Sequence, residues 1–307
     1  MSETTEVNLS AEATAFAEWF LRYRVPPTEL EVNRALVEAN HRMATEPENV
    51  TYRDIDAGGV PAIWCEPIGA DTRFVLLHGH NGGTVVGSAA MDRKTAGHIA
   101  AAIGIPSLVV DFRLAPENKY PAQIDDFESA VTWLVDQGYA PDCIVTIGHS
   151  VGGYLAAALA IRLRDAGKPT PLAVVSISPW ADLSINNETM RTNAEKDLLL
   201  SKELLEFFRE AWIGGTDVAS DDVRINLIHS DLGGLPPILV SWGTYEVLAG
   251  EDQIFADRLR SAGVDVSELP VAGLQHSYVV GAGRVPEADR AIKQIAEWVR
   301  EKVGIRR

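Results

Sequence analysis

Cysteine is scarce in this chain. Cys65 and Cys143 are the two in 307 residues, and isolated thiols supply neither a disulfide framework nor a four-cysteine zinc site. Both sit in strand-like runs and read as buried free thiols. Basic charge is short as well: 27 Lys and Arg face 43 Asp and Glu, a formal charge of −16. A sequence-independent grip on nucleic acid needs clustered Lys and Arg against the phosphates, so no such partner is expected. No apolar run reaches the roughly 20 residues that cross a bilayer, so no membrane span is expected. The opening Met1-Ser-Glu-Thr-Thr-Glu is acidic where a secretory leader is basic. A cytoplasmic protein is the expectation.

The chain is otherwise ordinary in bulk. With 46% hydrophobic and 23% charged residues it is neither disordered nor fibrous. Its length suffices for one large α/β domain or one domain with an inserted lid. Residues 10–23 and 28–43 carry helical periodicity, parted by Pro26-Pro27. Strand patterns at 51–56 and 60–66 flank Ala57-Gly58-Gly59, a hairpin turn. Six short apolar runs follow, at 74–77, 107–110, 143–147, 172–175, 237–242 and 264–266. Helix patterns lie between and after them, at 89–103, 122–137, 150–167, 251–262 and 286–303. Alternating β and α implies a mostly parallel, eight-stranded sheet with helices on both faces and the hairpin at its edge. The gap at 178–236, with a helix near 201–213, is too long for a simple crossover and reads as an inserted cap or lid. Residues 1–50 then form an N-terminal helical cap, and 51–177 with 237–307 form the core.

The strongest chemical signal is Gly148-His149-Ser150-Val151-Gly152-Gly153. An apolar run enters it and an Ala/Leu-rich helix leaves it, the strand–elbow–helix context that exposes a serine hydroxyl on a tight turn. The rival, a phosphate-binding turn, lacks both a Walker lysine and the dinucleotide glycine spacing. A serine needs a base, and the base an orienting acid, in the chain order Ser, acid, His. Glu246 lies just past the 237–242 run, where the acid belongs. Glu251 and Asp252 compete, but acids that open the next helix have a sufficient structural reason in its dipole. His276 follows the last strand pattern and fits the base. Of the other histidines, His41, His98 and His229 read as surface or capping residues, and the elbow turns His149 away from the reacting atom. The glycine-rich run His78-Gly79-His80-Asn81-Gly82-Gly83 can aim backbone N–H groups at an oxyanion. His78-x-His80 also has metal-ligand spacing, but no Asp, His or Cys set elsewhere completes a shell for it, so no metal is expected.

Together these segments resemble the hormone-sensitive-lipase-like carboxylesterases of the α/β-hydrolase superfamily. The elbow stands where that family usually has Gly-Asp-Ser-Ala-Gly-Gly. Asp111-Phe112-Arg113-Leu114-Ala115-Pro116-Glu117 is close to its Asp-Tyr-Arg-Leu-Ala-Pro-Glu stretch. Glu246 and His276 stand in its acid and base contexts, and the match runs over about residues 73–300. The family's His-Gly-Gly-Gly aligns with His80-Asn81-Gly82-Gly83 when the following Val-Val-Gly-Ser sets the register. Gly82, Gly83 and Val151 then supply the oxyanion N–H groups. The other register offers His80 and Asn81 instead. Val151, where the family has Ala, adds bulk beside the reacting carbonyl, and a Gly-His-Ser elbow also occurs in formamidase-like relatives.

The resemblance implies an α/β-hydrolase fold and a serine esterase that acts on short- to medium-chain acyl esters of small molecules. It implies no cofactor, and a homodimer through the last strand and helix. Trp19, Phe20 and Tyr23 from the first helix, with Phe207, Phe208 and Trp212 from the insertion, are candidates to line the substrate site. Asp111, Arg113, Glu117, Asp125 and Asp126 read as a structural ion-pair network. Two alternatives stand beside ester hydrolysis. The same triad can cut an amide, formamide, carbamate or lactone. A ligand receptor on a hydrolase scaffold fits less well, because such receptors lose the base and His276 is present.

Overall fold

A computed structural model describes residues 7–22 and 29–305. Tyr23, Pro26 and Pro27 lie outside the described residues. Two N-terminal helices, α1 (Ala11–Arg22) and α2 (Leu30–Glu38), precede the hairpin strands β1 (Val50–Asp56) and β2 (Pro61–Pro67). Strands and helices then alternate: β3 (Val75–Gly79), α3 (Ala89–Ile103), β4 (Ser107–Val110), α4 (Ala122–Asp136), β5 (Ile144–His149), α5 (Val151–Asp165) and β6 (Ala173–Ile177). The long gap holds α6 (Thr189–Thr192) and α7 (Lys202–Ile213). The chain closes with β7 (Ile238–Gly243), α8 (Ala249–Ser261), β8 (Val266–Val271) and α9 (Pro286–Val303).

Local chemistry sets these boundaries. Ser88 caps α3 by accepting from the Met91 N–H at 3.0 Å, and Gly104 ends it in the left-handed region at φ 88°. Ser201 caps α7 in the same way through Leu204. Pro286 opens α9 and Gly304 closes it at φ 70°. These are the residues that satisfy or tolerate unpaired helix ends.

The eight strands form one sheet in the order β1-β2-β4-β3-β5-β6-β7-β8. β1 with β2 and β2 with β4 run antiparallel, and the remaining pairs are parallel. The strand expected at 264–266 pairs over Val266–Val271 instead, at the sheet edge, where a Pro at position 270 is tolerated. Alternate residues feed two cores. Leu76, Val145, Ile147 and Val175 pack with Ile99, Ile292 and Ile295 under α3 and α9. Leu77, Leu108, Ile144 and Val174 pack with Phe127, Leu155 and Phe255 under α4, α5 and α8. Each large side chain so buried stabilises the fold by about 1.5–3 kcal/mol.

The strand order reverses between β3 and β5, because β4 lies on the far side of β3. In open α/β sheets the crevice beyond the strand ends at such a point is where ligands bind. The glycine-rich loop leaves β3 there, and Ser150 leaves β5.

Candidate active site

Backbone crowding explains the glycines of the elbow. A Cβ on Gly152 would stand 2.0 Å from the Gly79 carbonyl oxygen, and one on Gly148 would stand 2.4 Å from Gly152. The ends of β3 and β5 and the first turn of α5 therefore meet at backbone distance, which no larger residue permits. Ser150 takes φ 58° and ψ −127°, a strained conformation that costs about 1–3 kcal/mol and holds the side chain at the crevice. Its N–H donates to the Ile177 carbonyl at 2.9 Å. Val151 is the first residue of α5, so its N–H has no partner within the helix.

The elbow opens on a cavity lined by Ser150, His276, Asn81, Gly82 and Gly83. His276 Nδ1 lies 2.5 Å from Glu246 Oε2, and both side chains are almost wholly buried. His276 Nε2 has no hydrogen-bond partner among the described residues. Glu246 Oε1 accepts from Ser178 Oγ at 3.0 Å and from the Gly243 N–H at 2.9 Å. A Cβ on Gly243 would stand 2.3 Å from the Leu274 carbonyl oxygen, so the end of β7 and the His276 loop are pressed together. The carboxylate is thus fixed by two donors and faces the imidazole with its other oxygen.

The glycine-rich loop runs from the end of β3 to the cavity. His78 is still in β3, and His78 and His80 are both fully buried, while Asn81, Gly82 and Gly83 reach the cavity. Gly82 has φ 116° and Gly83 φ 59°. A Cβ at Gly82 would stand 1.9 Å from the Val86 carbonyl oxygen, and one at Gly83 would stand 2.2 Å from the Phe208 ring. His80 stacks on Phe112 with ring centroids 4.0 Å apart and contacts the Asn81 carbonyl through Nδ1 at 2.6 Å. Burial lowers its pKa, against the pull of that carbonyl.

Of the six substrate-lining candidates Tyr23 lies outside the described residues, and three of the other five, Trp19, Phe20 and Phe208, reach the cavity. Phe207 and Trp212 do not. Phe207 packs half-buried on the core, and Trp212 donates its indole N–H to Gln123 Oε1 at 2.9 Å among Tyr154 and Trp180. The cavity wall instead takes Trp180, Leu199, Leu200, Leu204, Leu205 and Val280. All but Val280 fall in the 178–236 segment, where no strand or regular helix runs through Leu199 and Leu200 to show which way they face. Val151 packs wholly in the core and does not line the cavity with its side chain.

Several expectations need correction. His78 does have companions of ligating type: its Nε2 and that of His149 meet Asp92 Oδ2 at 2.7 and 3.0 Å. Among the described residues this set is the one grouped closely enough to hold a cation. The ligand atoms already satisfy one another by hydrogen bonds, and neither Nδ1 has the second partner that orients a metal-bound imidazole. Burial opposes ionisation of Asp92, but attraction to His149 and His78 outweighs it and holds the carboxyl below its usual range. Glu251 and Asp252 do open α8, but both are fully buried there. Cys143 is only part-buried, unlike Cys65, and both are free. The acidic stretch forms separate pairs rather than one network. Arg113 grips Asp126, Asp125 meets Arg162, and Glu117 meets Arg34 of α2 at 2.7 Å, while Asp111 accepts from the Ala89 N–H.

Comparison with known proteins agrees with the fold. Residues 75–280 match the family model described as the alpha/beta hydrolase fold. An acetyl-hydrolase of Streptomyces hygroscopicus is 31% identical, over 90% of this chain and 97% of its own. An esterase of Acinetobacter venetianus is 30% identical, over 86% of this chain and 87% of its own. The solved structure of an esterase from the bacterial hormone-sensitive lipase family superposes with a TM-score of 0.93 at 32% identity, over 97% of this chain and all of that one. The chain belongs to the hormone-sensitive-lipase-like α/β hydrolases. It is a carboxylic ester hydrolase. No helix of this hydrolase, among the described residues, is long and apolar enough to cross a membrane.

Proposed function

We propose that the hydrolase cleaves short- to medium-chain acyl esters through an acyl-enzyme on Ser150. His276 removes the Ser150 proton as the hydroxyl attacks the ester carbonyl, and Glu246 holds the imidazole and balances its charge. The N–H groups of Gly82, Gly83 and Val151 receive the oxyanion. His276 passes the proton to the departing alcohol, then takes one from water, which releases the acid and frees Ser150. The observation that carries this reading is the shared cavity: Ser150, the unpaired face of His276 and the Gly82-Gly83 turn line it together. The N-terminal helices and the 178–236 segment act as the cap, since Phe20, Leu200 and Phe208 roof that cavity. Phe208 presses on Gly83 and limits the space beside the reacting carbonyl, which favours short acyl groups. Hydrolysis of p-nitrophenyl esters from acetate to decanoate, by the intact chain and by Ser150→Ala, tests the reading. Activity that peaks on short chains and is lost in the variant supports it. Turnover that survives Ser150→Ala refutes it.

A further inference from the structure

Asp252 has no role in the triad just described, yet the fold spends a fully buried carboxyl on it. It lies on the first turn of α8, six residues after Glu246, with 0% of its surface exposed. Neither carboxyl oxygen has a hydrogen-bond donor among the described residues. Its neighbour Glu251 is accounted for: Oε1 accepts from the Ala181 and Asp182 N–H groups, at 2.9 and 3.2 Å, and Oε2 from Asn187 at 3.1 Å. Asp252 meets the Glu246 side chain instead. Two carboxylates without a cation between them cannot both stay charged in a dry interior. Glu246 has the donors that favour a charge, from Ser178, Gly243 and His276. Asp252 has none.

We propose that Asp252 is a positioning residue of the hydrolase: it stays protonated and donates its O–H to Glu246, extending the relay to Ser150, His276, Glu246 and Asp252. The inference rests on the reading of Glu246 as the triad acid. Burial first, then the charges of Glu246 and Glu251, push the Asp252 carboxyl well above its usual range, which keeps the proton in place. The other titratable groups facing this cluster reinforce that state. Asp182 stands by Glu251, Asp197 by His276, and the Tyr278 hydroxyl, near Glu246, pairs with Ser241 Oγ. None of them is a cation, and His276 is the one group that gains positive charge during turnover. A proton on Asp252 therefore spares Glu246 a second buried anion while fixing the carboxylate that faces His276 Nδ1.

Two variants that keep the branched side-chain skeleton of four heavy atoms separate this role from packing. Asp252→Leu removes the donor, and Asp252→Asn keeps one in its N–H. On p-nitrophenyl butyrate, Asp252→Leu should lose about tenfold in kcat at little change in KM, the size expected for one hydrogen bond to a charged group. The acid limb of its kcat/KM profile should move to higher pH, because Glu246 without its donor holds the His276 proton more tightly. Asp252→Asn should recover most of the kcat and return the limb to the wild-type position. Equal kcat and equal acid limbs for Leu and Asn would overturn the proposal. Glu246→Gln is measured beside them: full activity there would remove the triad acid itself, and this inference with it. Loss in Glu246→Gln with no difference between Leu and Asn would sink the Asp252 role alone.

Discussion

Replacing Asp92 by Asn probes the interlock behind the nucleophile. Asp92 Oδ2 takes His78 Nε2 at 2.7 Å and His149 Nε2 at 3.0 Å, and all three side chains are at most 1% exposed. Asn keeps the shape and one acceptor, and because both imidazoles meet the same oxygen that acceptor can still serve both, with the amide N–H groups placed where Oδ1 has no partner. What it removes is the charge that both rings face. Breaking a buried, hydrogen-bonded charge partnership costs about 3–5 kcal/mol, and the retained acceptor places this case near the lower end. For a chain of this length about 3 kcal/mol lowers the melting temperature by about 5 °C. The pH dependence has a definite sign. The Asp92 carboxyl is held below its unfolded value by the two histidines, so its stabilisation is present above the unfolded pKa of about 4 and is lost as pH falls below it. Wild type should therefore lose stability below about pH 4 with a contribution of up to 1.4 kcal/mol per pH unit that Asp92→Asn lacks. Urea unfolding followed by circular dichroism, at pH 7 and through pH 5 to 3, measures both effects. A variant within about 0.5 kcal/mol of wild type at pH 7, with the same acid slope, would refute the argument.

Other outcomes follow from the same geometry. Gly152→Ala would put a Cβ 2.0 Å from the Gly79 carbonyl oxygen; we expect misfolded or inactive protein, checked by expression yield and esterase assay. Phe208→Ala empties the wall beside Gly83 and should shift the chain-length optimum to longer acyl groups, read as kcat/KM across the p-nitrophenyl series. Arg34 ties α2 to Glu117 and to the Ala115 and Val85 carbonyls, so Arg34→Ala should raise KM severalfold with a smaller change in kcat. Chelator should leave activity and melting temperature unchanged, since His78, Asp92 and His149 satisfy one another directly; a drop restored by zinc would contradict that.

Most of the sheet was legible because the parallel strands β3 to β7 are buried on both faces and read as apolar runs between helical patterns, whereas the half-exposed edge strand β8 does not. The elbow was legible for a sharper reason. Close backbone approach between β3, β5 and α5 admits only small residues, so the motif is written directly as Gly148, Gly152 and Gly153. Glu246 and His276 could be placed because each follows a strand end. The interlock of His78, Asp92 and His149 could not. Its members stand 14 and 57 residues from Asp92, and only the pairing of His78 with Ile147 across β3 and β5 brings His149 alongside. Asp252 opens α8 as its position implied, but nothing local in the sequence says that this turn is buried. Phe207 and Phe208 differ by about 100° around α7, so one roofs the cavity and the other packs on the core. Composition counts them the same.

Capture of the covalent intermediate tests the central claim most directly. The hydrolase is mixed with p-nitrophenyl acetate, quenched in acid within the first turnover, digested and weighed by mass spectrometry. The account predicts one acetyl group on the peptide that contains Ser150, formed in step with a burst of p-nitrophenol and absent from Ser150→Ala. Steady turnover with no adduct, or an acetyl group on another residue formed at the burst rate, would contradict it.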